Sequence, residues 1–142
     1  MSYDENNIFA RILRGELPSE RVYEDEYTLA LMDIMPRAPG HVLVIPKAPA
    51  RNLLDASPEQ LSACMATAQK VATAAKKAFD ADGITMQQFS EAAGGQEVFH
   101  LHFHVVPRKE CQRMKPAGTG DMEKPEVLRK HAERIRAAME AA

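Results

Sequence analysis

The sequence predicts an α+β protein built on a mainly antiparallel five-stranded sheet with two or three helices. Three observations predict it. Five short β-rich segments are bounded by Pro, Gly or Asp. Two long stretches and one short one carry apolar residues at helical spacing. The order runs helix, strands, helix, strands, helix, without the strict βαβ alternation of a parallel sheet.

The first element is a short amphipathic helix, Asn7 to Arg14, with Ile8, Phe9, Ile12 and Leu13 apolar and Gly15 placed to stop it. Arg21–Glu24 and Tyr27–Met32 read as strands separated by an acidic turn at Asp25. Asp33 to Gly40, with Pro36 and Pro39, is a loop. His41–Ile45 is a β-branched apolar run closed by Pro46, the pattern of a strand covered on both faces. Ser57-Pro58-Glu59-Gln60 combines an N-cap serine, a proline at the first helical position and a capping-box glutamine. The helix that follows presents Leu61, Cys64, Met65, Ala68, Val71, Ala75 and Phe79 on one face. Asp82-Gly83 turns into a strand over Ile84–Phe89, and a second strand spans Val98–Val106 before Pro107. Arg108 to Gly120 is irregular, and Glu126–Met139 is a last amphipathic helix with Val127, Leu128, Ile135 and Met139 inward.

At 142 residues the chain is sized for one domain, residues 1–142. A formal charge of −2 argues against a protein that coats nucleic acid or acidic lipid, so an anionic ligand must be held by local geometry. No apolar run approaches the roughly 18 residues of a membrane span. Met1 to Ala10 lacks the basic-then-apolar pattern of a signal peptide. Cys64 and Cys111 stand apart, outside any CxxC pattern. The expectation is a cytoplasmic protein with no nucleic-acid or membrane partner.

Three of the five histidines fall at His100, His102 and His104. In a strand this period places them on one face, with Leu101, Phe103 and Val105 in the core behind. A row of imidazoles serves either of two chemistries. Metal ligation needs companion ligands, and the chain has neither an HExxH motif nor a cysteine pair beside the row. Covalent catalysis at phosphorus needs an imidazole with its tautomer fixed and donors for the phosphoryl oxygens. The small-residue stretch Gly94-Gly95-Gln96 just before the row can supply such donors as a phosphate cradle.

Gly94 through Arg108, containing His100-Leu101-His102-Phe103-His104-Val105-Val106, resembles the histidine triad (HIT) family, whose signature is His-φ-His-φ-His-φ-φ with φ apolar. Ile8-Phe9 with Ile12, Leu31-Met32-Asp33-Ile34, Ala38-Pro39-Gly40-His41 and Val44-Ile45-Pro46-Lys47 extend the likeness over about residues 7–108, in the order of the Hint-like branch. The resemblance implies a nucleotidyl hydrolase or transferase acting at the α-phosphate of a purine nucleotide, with no cofactor and no metal. It implies that His102 forms a transient nucleotidyl-histidine, that His104 contacts the phosphate, and that His100 and His41 support them. Asp33 would accept the ribose hydroxyls, while Ile8, Phe9, Ile12, Met32 and Ile34 would wall the base. Gly95, Gln96 and Glu97 would border the phosphate. A homodimer with sheets joined edge to edge is also implied.

The chain departs from the pattern in three places. Phe89-Ser90-Glu91 stands where the family often has an amide, with Gln88 the nearest one. Glu97 stands where some Hint enzymes have a serine near the leaving group. The cysteine pair near the start of some members is missing. The tail, with its helix over about 124–141, lies outside the resemblance. The leading expectation is a purine nucleoside 5′-phosphoramidate hydrolase. The alternatives are a dinucleoside polyphosphate hydrolase or a nucleotide-binding regulatory protein.

Overall fold

The computed structural model describes residues 3–117 and 120–141. Its elements are α1 (Ile8–Leu13), β1 (Arg21–Glu24), β2 (Thr28–Met32), β3 (Val42–Pro46), α2 (Pro58–Ala78), β4 (Gly83–Gln87), β5 (Phe103–Arg108) and α3 (Pro125–Glu140), with a 3-10 turn at Ala92–Gly94. The five strands form one antiparallel sheet in the order β1-β2-β3-β5-β4. The expected α+β class and five-stranded sheet are therefore present.

The two faces of the sheet have different cover. Val22, Ala30, Val42, Val44, Phe103 and Val105 point toward α2 and α3, which form the larger core with Cys64, Val71, Leu128 and Ile135. Leu29, Leu31, Leu43 and Ile45 point the other way, onto Phe9 and Ile12 of α1. Every residue of β3 is buried, as its unbroken apolar run requires. Both covers come from the chain itself, so the apolar β3 gives no support to a second subunit. Because α1 is only 6 residues long, it covers part of its face and leaves an open cleft beside it.

Several boundaries differ from expectation, and the last strand runs through Pro107, paired with Ile84, to Arg108. The last strand begins at Phe103, not Val98, because Leu101 N–H is drawn off to Ala50 O at 2.8 Å, outside the ladder. The strand from Ile84 stops at Gln87, where Gln88 and Ser90 form their own side-chain bonds and turn the chain. Tyr27 is exposed and precedes β2, and His41 precedes β3. Met65 is 44% exposed, and Thr67 and Ala74 take the inward positions on α2 instead. The capping box forms as its sequence predicts, with Ser57 Oγ accepting from Gln60 N–H and Gln60 Oε1 accepting from Ser57 N–H.

Gly40 sets His41 in place. Its φ is +87°, and a Cβ there would lie 2.7 Å from the ring of Phe79. Gly15 has a similar φ of +80° but open space around it. Gly40→Ala is expected to lower the unfolding free energy by roughly 2–4 kcal/mol, and Gly15→Ala by only about 1–2, since the second lacks the clash. Urea melts of both variants measure the difference; equal losses would show that Phe79 gives way without strain.

Candidate active site

The three histidines keep a common side although only His104 lies in the ladder. His104 pairs with Leu43, and so shares the α1 face of the sheet with it. His102 stands beside it, with ring centroids 5.0 Å apart, and the Phe9 ring closes on His102 at 5.0 Å. His100 is fully buried behind Phe9. Leu101, Phe103 and Val105 enter the core on the opposite side, as alternation predicts.

Hydrogen bonds assign each ring its tautomer. His102 Nδ1 lies 2.7 Å from His100 O. A carbonyl only accepts, so Nδ1 carries the hydrogen and Nε2 is left with a free lone pair. His100 Nε2 donates likewise to Pro46 O at 2.8 Å, which leaves its Nδ1 to accept from the Tyr3 hydroxyl at 2.5 Å. His41 Nδ1 accepts the backbone N–H of Arg37 at 3.0 Å, so its Nε2 is protonated and donates to His104 Nδ1 at 2.9 Å. His104 Nε2 must then carry its own hydrogen and is a donor. The arrangement thus pairs a bare imidazole nitrogen with a neighbouring N–H donor. A nucleophile at an electrophilic centre with an adjacent oxygen needs that combination.

Electrostatics keep these rings neutral. Burial lowers the proton affinity of His102 and drives that of His41 well below the usual histidine range. Burial also pushes His100 down to about 4, and burial with the neighbouring His102 and Arg37 pushes His104 down to about 3. Asp33 moves the other way, up to about 6, because it is desolvated, although Met35 N–H and Arg37 partly offset this. Its Oδ2 is 3.4 Å from His41 Nε2, a longer contact than the one to His104. With His41 neutral, this contact is not an ion pair. Asp33, His41 and His104 also place three donor atoms within 4.8 Å of one another, the composition of a small metal site. In this structure the His41 hydrogen occupies the space between the two rings.

A cleft of about 190 Å³ opens over His102 and His104. Ile8, Phe9, Ile12, Met32, Asp33, Ile34, Gly95 and Glu97 line it, all of them expected from the sequence. His41, His100 and Gln96 do not line it. Gln96 is turned inward: Oε1 accepts from Glu91 N–H and Asn52 Nδ2, and Nε2 donates to Arg51 O and Val98 O. Its side chain pins the loop, and Gly95, at φ +100°, is packed under Phe89. A larger groove of about 990 Å³ near Tyr27 and Lys47 holds no histidine or cysteine.

Sequence reasoning missed several contributors. Phe89 lines the cleft and its ring stands 5.5 Å from His104, filling the place where an amide was sought. Arg37 lines the same wall, and Tyr3 caps His100. The tail also contributes: Ala117 borders the cleft, and Lys115 N–H and Glu123 N–H bond to Arg37 O and Ile34 O. None of these carries a motif. Arg37 lies inside the Asp33–Gly40 loop, and Phe89 was visible only as a departure from the family pattern.

A model of the HIT domain matches residues 14–111. The chain belongs to the HIT family. A HIT-like protein of Bartonella henselae described as involved in cell-cycle regulation is 54% identical, covers 97% of this chain and 99% of its own, and superposes with a TM-score of 0.93. A hypothetical histidine triad nucleotide-binding protein of Sulfolobus tokodaii is 32% identical over 94% of this chain and 91% of its own, with a TM-score of 0.85. The adenylylsulfatase HINT3 of Arabidopsis thaliana is 36% identical over 103 residues, 72% of this chain and 52% of that protein. The HIT signature of this chain is thus the row whose tautomers the backbone assigns.

The buried neutral histidines make stability pH-dependent. Their folded-state values lie below the ordinary 6.5, so the unfolded chain binds more protons. Their contribution is complete above pH 6.5 and is lost as pH falls toward about 4 and 3. Asp33 opposes them: its contribution is present below its ordinary value of 3.8 and is lost as pH rises through about 6. Urea melts should show a net loss of a few kcal/mol between pH 7 and 4. Asp33→Asn should gain on the wild type as pH rises from 4 to 7. A flat curve for the wild type would contradict the neutral network.

Proposed function

We propose that this protein is a nucleotide hydrolase or transferase that cleaves purine nucleoside 5′-phosphoramidates at the α-phosphate through a covalent nucleotidyl-histidine on His102. One observation carries the reading: His102 donates Nδ1–H to a fixed carbonyl and keeps Nε2 unprotonated at the cleft wall. Nε2 attacks phosphorus, the P–N bond to the amine breaks, and the leaving nitrogen takes a proton from solvent water at the cleft mouth. Water then attacks the same phosphorus and gives up a proton to solvent, the P–Nε2 bond breaks, and the nucleoside monophosphate leaves with His102 restored. His104 Nε2–H donates to a non-bridging oxygen throughout, while His41 holds that ring in its tautomer. His100 supports His102 through its carbonyl. Asp33 receives the ribose hydroxyls, and Ile8, Phe9, Ile12, Met32 and Ile34 wall the purine. Gly95 borders the phosphate without donating to it, because the N–H groups of Gly94, Gly95 and Gln96 are bonded to Glu91 O and Ala92 O within their own turn, contrary to the expected cradle; Gln96 shapes that loop. The adenylylsulfatase name of one relative supports cleavage next to an adenylyl phosphorus.

The whole chain works as one HIT unit in this reading, in the cytoplasm. Among the described residues no helix is long and apolar enough to cross a membrane. A homodimer through β4 is part of the proposal. β4 is a sheet edge, and Met86 on it and Met65 on α2, each 44% exposed, border one shallow apolar depression.

Two measurements test this. Mass spectrometry of protein quenched during turnover of adenosine 5′-phosphoramidate should find one nucleotidyl adduct, on His102. His102→Ala should lose the adduct and at least about 10³-fold in kcat/KM; an adduct elsewhere, or none in a single turnover, rejects the mechanism. Light scattering should give a dimer for the wild type and a monomer for Met65→Lys/Met86→Lys, and a wild-type monomer rejects the edge pairing.

A further inference from the structure

Beyond the wall that carries Arg37, a second groove of about 420 Å³ runs between Pro39, Phe79 and the irregular segment after β5. It is more than twice the size of the 190 Å³ cleft and is lined by six cations: Arg37, Arg108, Lys109, Arg113, Lys115 and Arg134. In a chain of formal charge −2 this is a strong local asymmetry.

The guanidinium groups at its inner end are held by neutral acceptors. Arg37 donates Nε–H to Lys115 O at 2.7 Å and Nη1–H to Gln87 Oε1 at 2.6 Å. Arg108 donates to Thr85 Oγ1 at 2.9 Å and to Gln112 O. Arg134 lies over the Phe79 ring at 4.2 Å and bonds to Ala78 O. Among the described residues none of the six forms an ion pair. Asp33 faces Arg37 from the cleft side, and Asp82 accepts Glu110 N–H. Burial lowers the proton affinity of Arg37, Asp33 partly offsets this from the cleft side, and Arg108 adds a smaller lowering. Guanidinium forks oriented by neutral acceptors suit an anion of high charge density with several oxygens, as phosphate groups are.

We propose that this groove binds a linear polyphosphate chain, with Arg37 joining it to the reaction cleft. The chain is either free polyphosphate or the anionic leaving portion of a nucleotide substrate seated on His102. The second source rests on the proposed reaction; the groove's affinity does not.

Calorimetry with inorganic tripolyphosphate tests the site directly on the intact protein. Lys109 and Arg113 are exposed, lie outside the cleft and are suited to change. Wild type should bind tripolyphosphate, and Lys109→Glu/Arg113→Glu should bind it at least tenfold more weakly. Raising the salt from about 0.1 to 0.5 M should also weaken wild-type binding. Lys109→Gln/Arg113→Gln, a milder pair, should fall between the two and guards against a misfolded reversal variant. No binding, or equal binding by all three proteins, overturns the proposal. The sources separate in turnover. If the chain belongs to a substrate, the reversal lowers kcat/KM for a dinucleoside polyphosphate at least tenfold and spares a phosphoramidate. If it is free, both rates stay unchanged while tripolyphosphate binding is lost. Should neither substrate turn over in the wild type, the reaction fails and calorimetry alone still decides the groove.

Discussion

The hydrogen bond from His102 Nδ1 to the carbonyl of His100 sets what the site can do. An imidazole with a free choice of tautomer spends part of its time with the wrong nitrogen protonated, and a carbonyl acceptor removes that choice. The bond depends in turn on where the His100 carbonyl points, and the ring of the same residue fixes that. It is anchored at both nitrogens, to Pro46 O and the Tyr3 hydroxyl. His41 and His104 repeat the device, with Arg37 N–H as the anchor. Two chains of hydrogen bonds therefore start from backbone groups and end at the cleft, one as a lone pair and the other as a donor.

Such a network works only where water does not compete, and the two-sided packing of β3 supplies that dryness. Alternate residues of β3 are consumed by α2 on one side and α1 on the other. The histidines share the side of the shorter helix, so they are walled by Phe9 and still reached from outside. Burial keeps the rings neutral at the pH where an unprotonated nitrogen is required. The same burial raises Asp33, which meets the network through its Oδ2.

Much of this was legible in the chain. Period two at His100, His102 and His104 put the rings on one side, and that held even though Leu101 leaves the ladder for Ala50. Gly40 before His41 and the capping box at Ser57 are local rules, and local rules are readable. What could not be read depends on distant partners. Gln96 looked like a phosphate neighbour, but four partners from residues 51, 52, 91 and 98 turn its side chain inward. Met65 has the right helical phase yet stays half-exposed beside Met86 at the sheet edge. His100 supports His102 through its backbone rather than its ring, a distinction that no side-chain pattern encodes. Phe89, in the place of an expected amide, shows that a packing residue can occupy a polar position when backbone and imidazole donors are already assigned.

The charge around the cleft bears on what it can accept. Its lining holds two carboxylates, Asp33 and Glu97, and one cation, Arg37. Such a lining gains little from bulk attraction for a nucleotide and must rely on short-range donors. Arg37 is also pinned at two of its nitrogens and turned toward a groove where five further cations gather. A ligand with one charged group in the cleft therefore finds five further cations past Arg37. In the proposed reaction the neutral histidines handle one phosphorus atom. Further negative charge on such a ligand would meet the cations of the segment after β5, which follows the His100–Val106 signature.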